Sequence, residues 1–157
     1  MYAKGGAPLL QSNAVSALKL ALIPIADVIT PNIPEAEALL GHGIENIGAM
    51  HAAAVGLLSL GPRAVLLKGG HMDGSEVVDI LAYQGGVRTY SSPRVPTKNT
   101  HGTGCTLASA VAVGLAQKMS LESAVERARQ YVLGAIKNAP CFGSGHGPLN
   151  HSHNFSS

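Results

Sequence analysis

The sequence predicts an α/β fold with a mostly parallel sheet, and two observations support the prediction. Segments with the spacing of amphipathic helices alternate with short apolar runs along the chain. One of these runs, Ala64-Val65-Leu66-Leu67, is continuous, which is typical of a strand buried on both faces of a parallel sheet. The 157 residues are enough for one domain, so a single domain over residues 1–157 is expected, with a disordered tail over 150–157.

The composition excludes several classes of function. Apolar residues make up 46% of the chain and charged residues 13%, which indicates a globular protein with an aliphatic core. The net charge is only +2 and no basic cluster occurs, so neither nucleic acid nor an anionic membrane is an expected partner. The two cysteines, Cys105 and Cys141, lack the spacing of metal ligands and are expected to be reduced. No apolar run approaches the ~20 residues of a membrane span and no signal-peptide pattern occurs, so the sequence favours a cytoplasmic protein.

The first half of the chain contains four predicted elements after a loop over residues 1–8. They are a helix from an N-cap at Ser12 or Asn13 to Pro24, a strand over 27–29, a helix over 34–40 and a helix over 47–60. Pro34 and Glu35 suit the first turn of the second helix, and Gly41 suits the position just past its end. Asn46 is the predicted N-cap of the last helix. The expected buried stripe of that helix is Ile47, Met50, Ala54, Leu57 and Leu58.

The second half continues from the buried strand over 64–67 to a predicted β-hairpin. Its strands, 77–83 and 87–90, flank Gln84-Gly85-Gly86. The helix that starts near Cys105 is apolar on nearly every side, which indicates a buried helix. The last predicted helix begins at a cap on Ser120 and is amphipathic. Its expected apolar side is Leu121, Ala124, Val125, Ala128, Val132, Ala135 and Ile136.

Three loops are placed where α/β proteins bind ligands, beyond the C-terminal ends of the strands. These loops are residues 30–35, 68–71 and 99–105. The third, Asn99-Thr100-His101-Gly102-Thr103-Gly104-Cys105, opens into a helix, where glycines let an anion approach unpaired backbone amides. Lys68 adds a positive charge, and Asn32 with Glu35 adds oxygen ligands. Together these groups suit a nucleotide triphosphate with Mg²⁺.

Each of these features also has a simpler interpretation. The glycines at 102 and 104 are compatible with ordinary turn geometry, and Glu35 with a favourable interaction with the helix dipole. Lys68 is compatible with a solvated strand end. The common placement of the three loops at one edge of the sheet is what favours the binding interpretation.

Four motifs occur in a fixed order along the chain. They are Thr30-Pro31-Asn32-Ile33-Pro34-Glu35-Ala36-Glu37-Ala38-Leu39-Leu40-Gly41, Val65-Leu66-Leu67-Lys68-Gly69-Gly70-His71, Thr100-His101-Gly102-Thr103-Gly104-Cys105 and Gly145-His146-Gly147-Pro148. In this combination they resemble the hydroxymethylpyrimidine/phosphomethylpyrimidine kinases, the thiamine-pathway members of the ribokinase-like superfamily. The superfamily usually has Asp where this chain has Cys105, and the pyrimidine kinases have Cys. The resemblance runs from Ala3 to about His151 and implies a ribokinase-like αβα sandwich with a mostly parallel sheet.

The resemblance implies roles for individual residues. Cys105 corresponds to the general base, and the backbone amides of Gly102, Thr103 and Gly104 to the anion hole for the transferred phosphoryl group. A position at a helix N-terminus favours the thiolate form of a cysteine. The implied nucleotide-binding residues are Lys68, Gly69, Thr100 and Arg129, and the implied Mg²⁺ ligands are Asn32 and Glu35. Packing for Cys105 and simple solvation for Arg129 stay open as alternatives.

The histidines divide into two groups. His101 is expected to orient the glycine loop, because it lies within that loop. The others to which an expectation attaches are predicted to be surface residues without a role. They are His42, His51, His151 and His153.

ATP and Mg²⁺ are therefore the implied cofactors, and a substituted pyrimidine is the implied substrate. Members of the family are longer, and their pyrimidine-gripping residues precede the position of Met1, so the chain is expected to be an N-terminally truncated, C-terminal portion. Phosphorylation of hydroxymethylpyrimidine or its monophosphate is the principal hypothesis. The alternatives are a pyridoxal kinase-like activity and a non-catalytic nucleotide-binding remnant or subunit. The exposed edge of a truncated sheet also predicts a homo-oligomer.

Overall fold

A computed structural model describes residues 12–155 of the protein, apart from the side chains of residues 12 and 13. The helices of this part are α1 (Ser12–Ala17), α2 (Ile33–Leu40), α3 (Ile47–Leu58), α4 (Thr103–Ala116) and α5 (Leu121–Lys137). The strands are β1 (Ala64–Lys68), β2 (Glu76–Tyr83) and β3 (Gly86–Pro93). The chain divides into two compact units, Met1–Arg94 and Val95–Ser157, and the expectation of one domain stays a prediction. The loop predicted over 1–8 and the last two positions of the predicted tail lie outside the described residues.

The three strands of the first unit form one antiparallel sheet in the order β1-β2-β3. The predicted hairpin is confirmed, because Tyr83 pairs with Gly86 across a two-residue turn. Gly86 has a φ of +124°, a conformation that residues with a side chain rarely adopt. On the other side of β2, the register with β1 places Lys68 opposite Asp79.

Among residues 12–94 of the first unit, parallel pairing is limited to two isolated bridges, Ile29 with Val65 and Asn32 with Lys68. The expectations of a strand over 27–29 and of mostly parallel pairing are therefore wrong for the described residues. The segment does run parallel to β1, since the Ile29 amide donates to the Ala64 carbonyl at 3.0 Å and the Leu66 amide donates to the Ile29 carbonyl at 2.9 Å. The next donor in that ladder would be residue 31, which is Pro31 and has no N–H. The missing donor reduces the strand to bridges.

The core of the first unit lies between the sheet and helices α2 and α3. Four residues of β1, from Ala64 to Leu67, are buried, which confirms the strand predicted to be covered on both faces. Buried side chains of α3 pack against it, and the stripe differs from the prediction mainly at Ile47, which is 47% exposed. These α3 residues are Met50, Ala53, Ala54 and Leu57.

The first predicted helix is shorter and less regular than expected. After α1 the chain continues as a π-helical turn over Leu18–Leu22 and a 3-10 turn over Ile23–Ile25. Pro24 lies inside the last turn, and a proline cannot continue a regular α-helix because it lacks the amide donor and clashes with the preceding turn. The prediction that the helical segment ends near Pro24 is thus correct, while the prediction of a regular α-helix up to that residue is wrong.

The second unit is built on α4 and α5, which pack along one stripe. The amphipathic face predicted for α5 is confirmed, with Ala124, Val125, Ala128, Val132 and Ala135 buried and Ser120 as N-cap. The prediction of an all-round buried α4 is wrong. Only Leu107, Val111 and Gly114 of α4 are buried, and Val113 is 51% exposed.

A close approach of the two helices explains which α4 residues are buried. A Cβ at Gly114 would lie 2.7 Å from the Cβ of Ala124, so the backbones meet there at less than the normal distance. The rest of the α4 surface is too far from α5 to be covered by it. Within residues 12–155, no helix is both long and apolar enough to cross a membrane.

Candidate functional site

The start of α2 holds Asn32 and Glu35, the two predicted metal ligands. Asn32 is the N-cap, and its Oδ1 accepts a hydrogen bond from the Glu35 amide at 2.9 Å. In return, Oε2 of Glu35 accepts from the Asn32 amide at 2.9 Å. This reciprocal pair is a capping box, which satisfies two amides that the helix leaves without partners. Both side chains are therefore held in fixed orientations at the helix start.

Lys68 ends β1 beside this cap. Its amide donates to the carbonyl of Pro31 at 2.9 Å, and Lys68 and Asn32 form a parallel bridge. The structure thus brings together two of the residues selected by the sequence, one predicted to bind nucleotide and one predicted to bind metal. Lys68 is half-buried, which is consistent with a side chain whose stem packs while its ammonium group reaches solvent.

Gly69 follows in a position that admits no side chain. A Cβ there would collide with the carbonyl oxygen of Val78, which is a backbone atom and cannot rotate away. The amide of Gly69 donates to Oδ1 of Asp79 at 3.0 Å in a buried hydrogen bond. The end of β1 is therefore fixed against β2 at the residue after Lys68.

Asp79 is a residue of this site that sequence reasoning missed. It is 6% exposed and lies opposite Lys68 in the ladder between β1 and β2. Its signal was visible as a carboxylate interrupting the apolar run of β2, between Val78 and Ile80. Since buried carboxylates need hydrogen-bond partners, such an interruption indicates a side chain that holds backbone in place.

The glycine loop of the second unit leads into α4 as predicted. Gly102 is the N-cap of α4 with a φ of +83°, so the left-handed conformation requires glycine here. The first intrahelical bond runs from the Thr106 amide to the Gly102 carbonyl at 2.9 Å. Amides of the turn before it have no acceptor within the helix, which leaves those of Thr103 and Gly104 at the open end.

The side chain of Thr103 fixes this turn to the loop. Its Oγ1 donates to the carbonyl of Thr100 at 2.8 Å, and its amide donates to the same oxygen at 3.4 Å. His101 is tied to the C-terminal part of the chain, because its amide donates to the carbonyl of Gly147 at 3.2 Å. The contact involves only the backbone, so the role expected for the His101 side chain stays a prediction.

Cys105 lies in the first turn of α4 and is an exposed free thiol. It borders a cavity of about 850 Å³ between α4, α5 and the residues that follow Asn150. Arg127 lines this cavity, whereas Arg129, the predicted nucleotide contact, is not among its lining residues and is half-buried elsewhere on α5. Of the described residues, no group of three His, Cys, Asp or Glu side chains is close enough to hold a metal.

Three of the histidines predicted to be surface residues without a role make contacts across the chain. Nε2 of His51 lies 3.0 Å from Oγ1 of Thr89, and His51 is half-buried, so the expectation of a surface residue is wrong for it. His151 and His153 contact Tyr131. The hydroxyl of Tyr131 donates to the carbonyl of His151 at 3.1 Å, and the ring of His153 lies 4.9 Å from that of Tyr131 between centroids. His153 is half-buried, so the expectation of a surface residue is wrong for it. Through Phe155, the predicted tail forms turns that lie against α5.

These features can be set beside known proteins. The family model described as Phosphomethylpyrimidine kinase matches residues 1–150. The chain belongs to the phosphomethylpyrimidine kinase family. It is 52% identical over 151 residues to the thiamine biosynthesis bifunctional protein ThiED of Geobacter sulfurreducens, covering 96% of this chain and 31% of that protein. It is 48% identical over 155 residues to the hydroxymethylpyrimidine/phosphomethylpyrimidine kinase of Haemophilus influenzae, covering 96% of this chain and 58% of that protein.

The fold is also that of a solved kinase. An ADP complex of pyridoxal kinase from Bacillus subtilis aligns with a TM-score of 0.87 and 32% identity, covering 93% of this chain and 57% of that one. The predicted α/β class and the ribokinase-like fold are confirmed. The chain spans less than two thirds of the length of these relatives, as the coverage of 31% and 58% shows.

Proposed function

We propose that this chain carries the nucleotide-binding and phosphoryl-transfer part of a kinase that phosphorylates hydroxymethylpyrimidine or its monophosphate, in thiamine biosynthesis, with ATP and Mg²⁺. The single observation that carries the proposal is the left-handed glycine at position 102, which opens α4 so that Cys105 follows in its first turn. This arrangement places backbone amides and a thiol at one helix end. Family membership supplies the reaction class.

The amides of Gly102, Thr103 and Gly104 have the role of stabilising the transferred phosphoryl group. Charge builds up on the oxygens of that group during transfer, and fixed backbone donors stabilise it without reorganising. The partial positive charge of the α4 N-terminus acts in the same direction. Thr100, whose carbonyl holds the Thr103 side chain, keeps the donors aligned.

Cys105 has the role of general base. Its thiolate accepts the proton of the substrate hydroxyl as that oxygen bonds to phosphorus, which leaves the nucleotide diphosphate as the departing group. Exposure of Cys105 beside a cavity gives a substrate hydroxyl access to it.

Lys68, Gly69 and Arg129 are proposed contacts of the nucleotide, and Asn32 with Glu35 the proposed holders of Mg²⁺. Their amide and carboxylate oxygens are hard donors of the kind that Mg²⁺ prefers, and the ion retains several waters in proteins, so few ligands suffice. The capping box fixes both side chains beside Lys68. Bound Mg²⁺ neutralises charge on the nucleotide phosphates, while Lys68 provides a point positive charge.

Two other functions are the alternatives. The first is a pyridoxal kinase-like activity, which the alignment with a pyridoxal kinase at 32% identity supports less than the identities of 52% and 48% support a pyrimidine substrate. The second is a non-catalytic nucleotide-binding remnant or subunit. A homo-oligomer in the cytoplasm belongs to the same proposal.

The test is ATP turnover with hydroxymethylpyrimidine phosphate and with pyridoxal, alongside binding of Mg-ATP. We expect Cys105→Ala to lower kcat by roughly 10²- to 10⁴-fold, the range for loss of a general base. Ser109→Ala is the matched control, because Ser109 lies one turn further along α4 and borders the same cavity. Mg-ATP binding without turnover would leave only the nucleotide-binding candidate, and equal turnover by both variants would remove Cys105 from the reaction.

A further inference from the structure

We infer that Gly147 is a positioning residue for the glycine loop, and that it acts through the buried side chain of Asn99. The inference rests on the proposed function of residues 99–105, because the loop matters only if its amides contact a phosphoryl group. It concerns a C-terminal clamp, which we define as residues 144–148. The clamp holds the loop across a wide separation in sequence.

Backbone groups of Lys98 and His101, the residues that flank Asn99 and Thr100, are bonded to the clamp. The carbonyl of Gly147 accepts from the His101 amide at 3.2 Å, and His101 forms a parallel bridge with Pro148. At the other end, the ring of His146 lies with Nδ1 at 3.2 Å from the Lys98 carbonyl, which accepts its N–H. The residues on either side of Asn99 and Thr100 are thus fixed to one short segment.

Gly147 itself makes room for Asn99. A Cβ at position 147 would collide with Oδ1 of Asn99 and lie 2.8 Å from its Cγ. Asn99 is 2% exposed, and its Nδ2 donates to Sγ of Cys141 at 3.6 Å. A buried side chain with these neighbours has little space to rotate, so a methyl group at position 147 displaces residue 99 itself.

The cost of burying Asn99 points to a role other than stability. Its Oδ1 is buried and has no hydrogen-bond partner among the described residues. A buried acceptor without a partner destabilises a fold, so an apolar side chain would be the better choice for packing alone. Because Gly147 has no Cβ, the side-chain amide of Asn99 can occupy this buried position.

A displacement of Asn99 reaches the helix start through short hydrogen bonds. The Thr100 amide donates to the Lys98 carbonyl at 2.9 Å, and the Thr100 carbonyl accepts from Oγ1 of Thr103. Gly102, between them, holds the left-handed turn that starts α4. Moving residue 99 therefore changes the direction of the Thr103 and Gly104 amides.

The experiment is a double-mutant cycle on the full chain with a matched glycine control. The variants are Gly147→Ala, Asn99→Ala, the double variant and Gly145→Ala, where a Cβ meets nothing within 4 Å. Backbone amide resonances of residues 100–105 report on the loop, and titration with Mg-ATP, which carries the phosphoryl group to be transferred, reports on binding. We expect Gly147→Ala to shift these resonances and weaken Mg-ATP binding roughly 10- to 100-fold, the loss for one hydrogen bond to a charged group. We expect Gly145→Ala to change neither.

The double variant tests whether Gly147→Ala acts on the loop through the side chain of Asn99. In the Asn99→Ala background, Gly147→Ala should have no further effect on resonances or affinity, because the colliding amide is gone. Equal effects of Gly147→Ala in both backgrounds, or a lower Tm with unmoved loop resonances, would overturn the inference. If Gly147→Ala does not fold, a double variant that folds as well as Asn99→Ala supports the inference, and one that does not fold contradicts it. If the wild-type chain does not bind Mg-ATP, the proposed function fails, while the loop resonances still decide the role of Gly147.

Discussion

The two glycine-bearing loops, residues 68–71 in the first unit and 99–105 in the second, are held in place in different ways. The first continues directly from β1, and its Gly69 amide is bonded to Asp79 on the adjacent strand β2. The second lies outside the sheet ladder, and Lys98 before it and His101 within it are bonded to a clamp more than forty positions later in sequence. One loop extends a strand, and the other depends on a few contacts that the folded chain brings together.

This difference predicts which substitutions lower the free energy of unfolding and which alter ligand binding. Gly69 of the first loop shares the buried environment of β1, so a side chain there disturbs the packing of β1 on β2 and lowers the free energy of unfolding. Apart from the buried Asn99, the second loop consists of exposed or half-buried residues held by backbone hydrogen bonds, which contribute little to global stability. A change there is expected to alter loop geometry and ligand binding more than unfolding.

Gly69→Ala should produce the largest loss of stability and tests the first half of the comparison. The new methyl group collides with the carbonyl of Val78, and a backbone atom can yield only if β1 and β2 separate. We expect a loss of about 1–3 kcal/mol in the free energy of unfolding, as for overpacked cores, measured by urea denaturation. The control is Gly70→Ala, where a Cβ meets nothing within 4 Å. Equal losses for the two variants would show that the first loop is not fixed by the sheet.

Local signals in the sequence were enough for most of the secondary structure. The start of α2 at Asn32, the start of α3 at Asn46 and the hairpin at Gly86 each depend on residues within a few positions, so short-range chemistry determines them. The burial of α4 depends on which elements cover it, which no pattern in the helix itself contains. The sequence therefore predicted an all-round buried helix, whereas Val113 is exposed.

The candidate site divides along the same line. Glycines at 102 and 104 and the cysteine that follows were visible as a motif, since the spacing itself creates the helix start. The partners of that loop were not visible, because Gly147 and Asn99 are 48 positions apart and only the fold joins them. Asp79 was recognisable as an oddity in an apolar strand, but its partner, the Gly69 amide, requires the register of β1 with β2.

Asn32→Ala and Asn46→Ala form a pair that separates helix capping from ligand binding. Both residues are N-caps whose side chains accept an amide at 2.9 Å, so each variant should lose about 1 kcal/mol of stability in urea denaturation. Only Asn32→Ala should also weaken Mg-ATP binding, because Asn32 lies beside Lys68 and Asn46 has no proposed role. Asn32→Ser should retain most of the stability, since serine is also a good N-cap. Unchanged Mg-ATP affinity in Asn32→Ala would leave the residue as a cap alone.

Lys98→Met should have the smallest effect of these substitutions. It tests whether the side chain of Lys98 helps to hold the second loop. Nζ of Lys98 donates to the Ser144 carbonyl at 3.4 Å, but the contact is exposed and long, so we expect a change below about 0.5 kcal/mol in the free energy of unfolding. The amide resonances of residues 100–105 should also stay in place, because the backbone of residue 98 and the contact of Asn99 with Gly147 are preserved. If Lys98→Met moved those resonances as far as Gly147→Ala does, the position of the loop would depend on the exposed ammonium group of Lys98. Added salt should then weaken the contact of that group and shift the same resonances. If neither the substitution nor salt moves the resonances, the loop is held by the backbone hydrogen bonds and by the packing of Asn99 against Gly147.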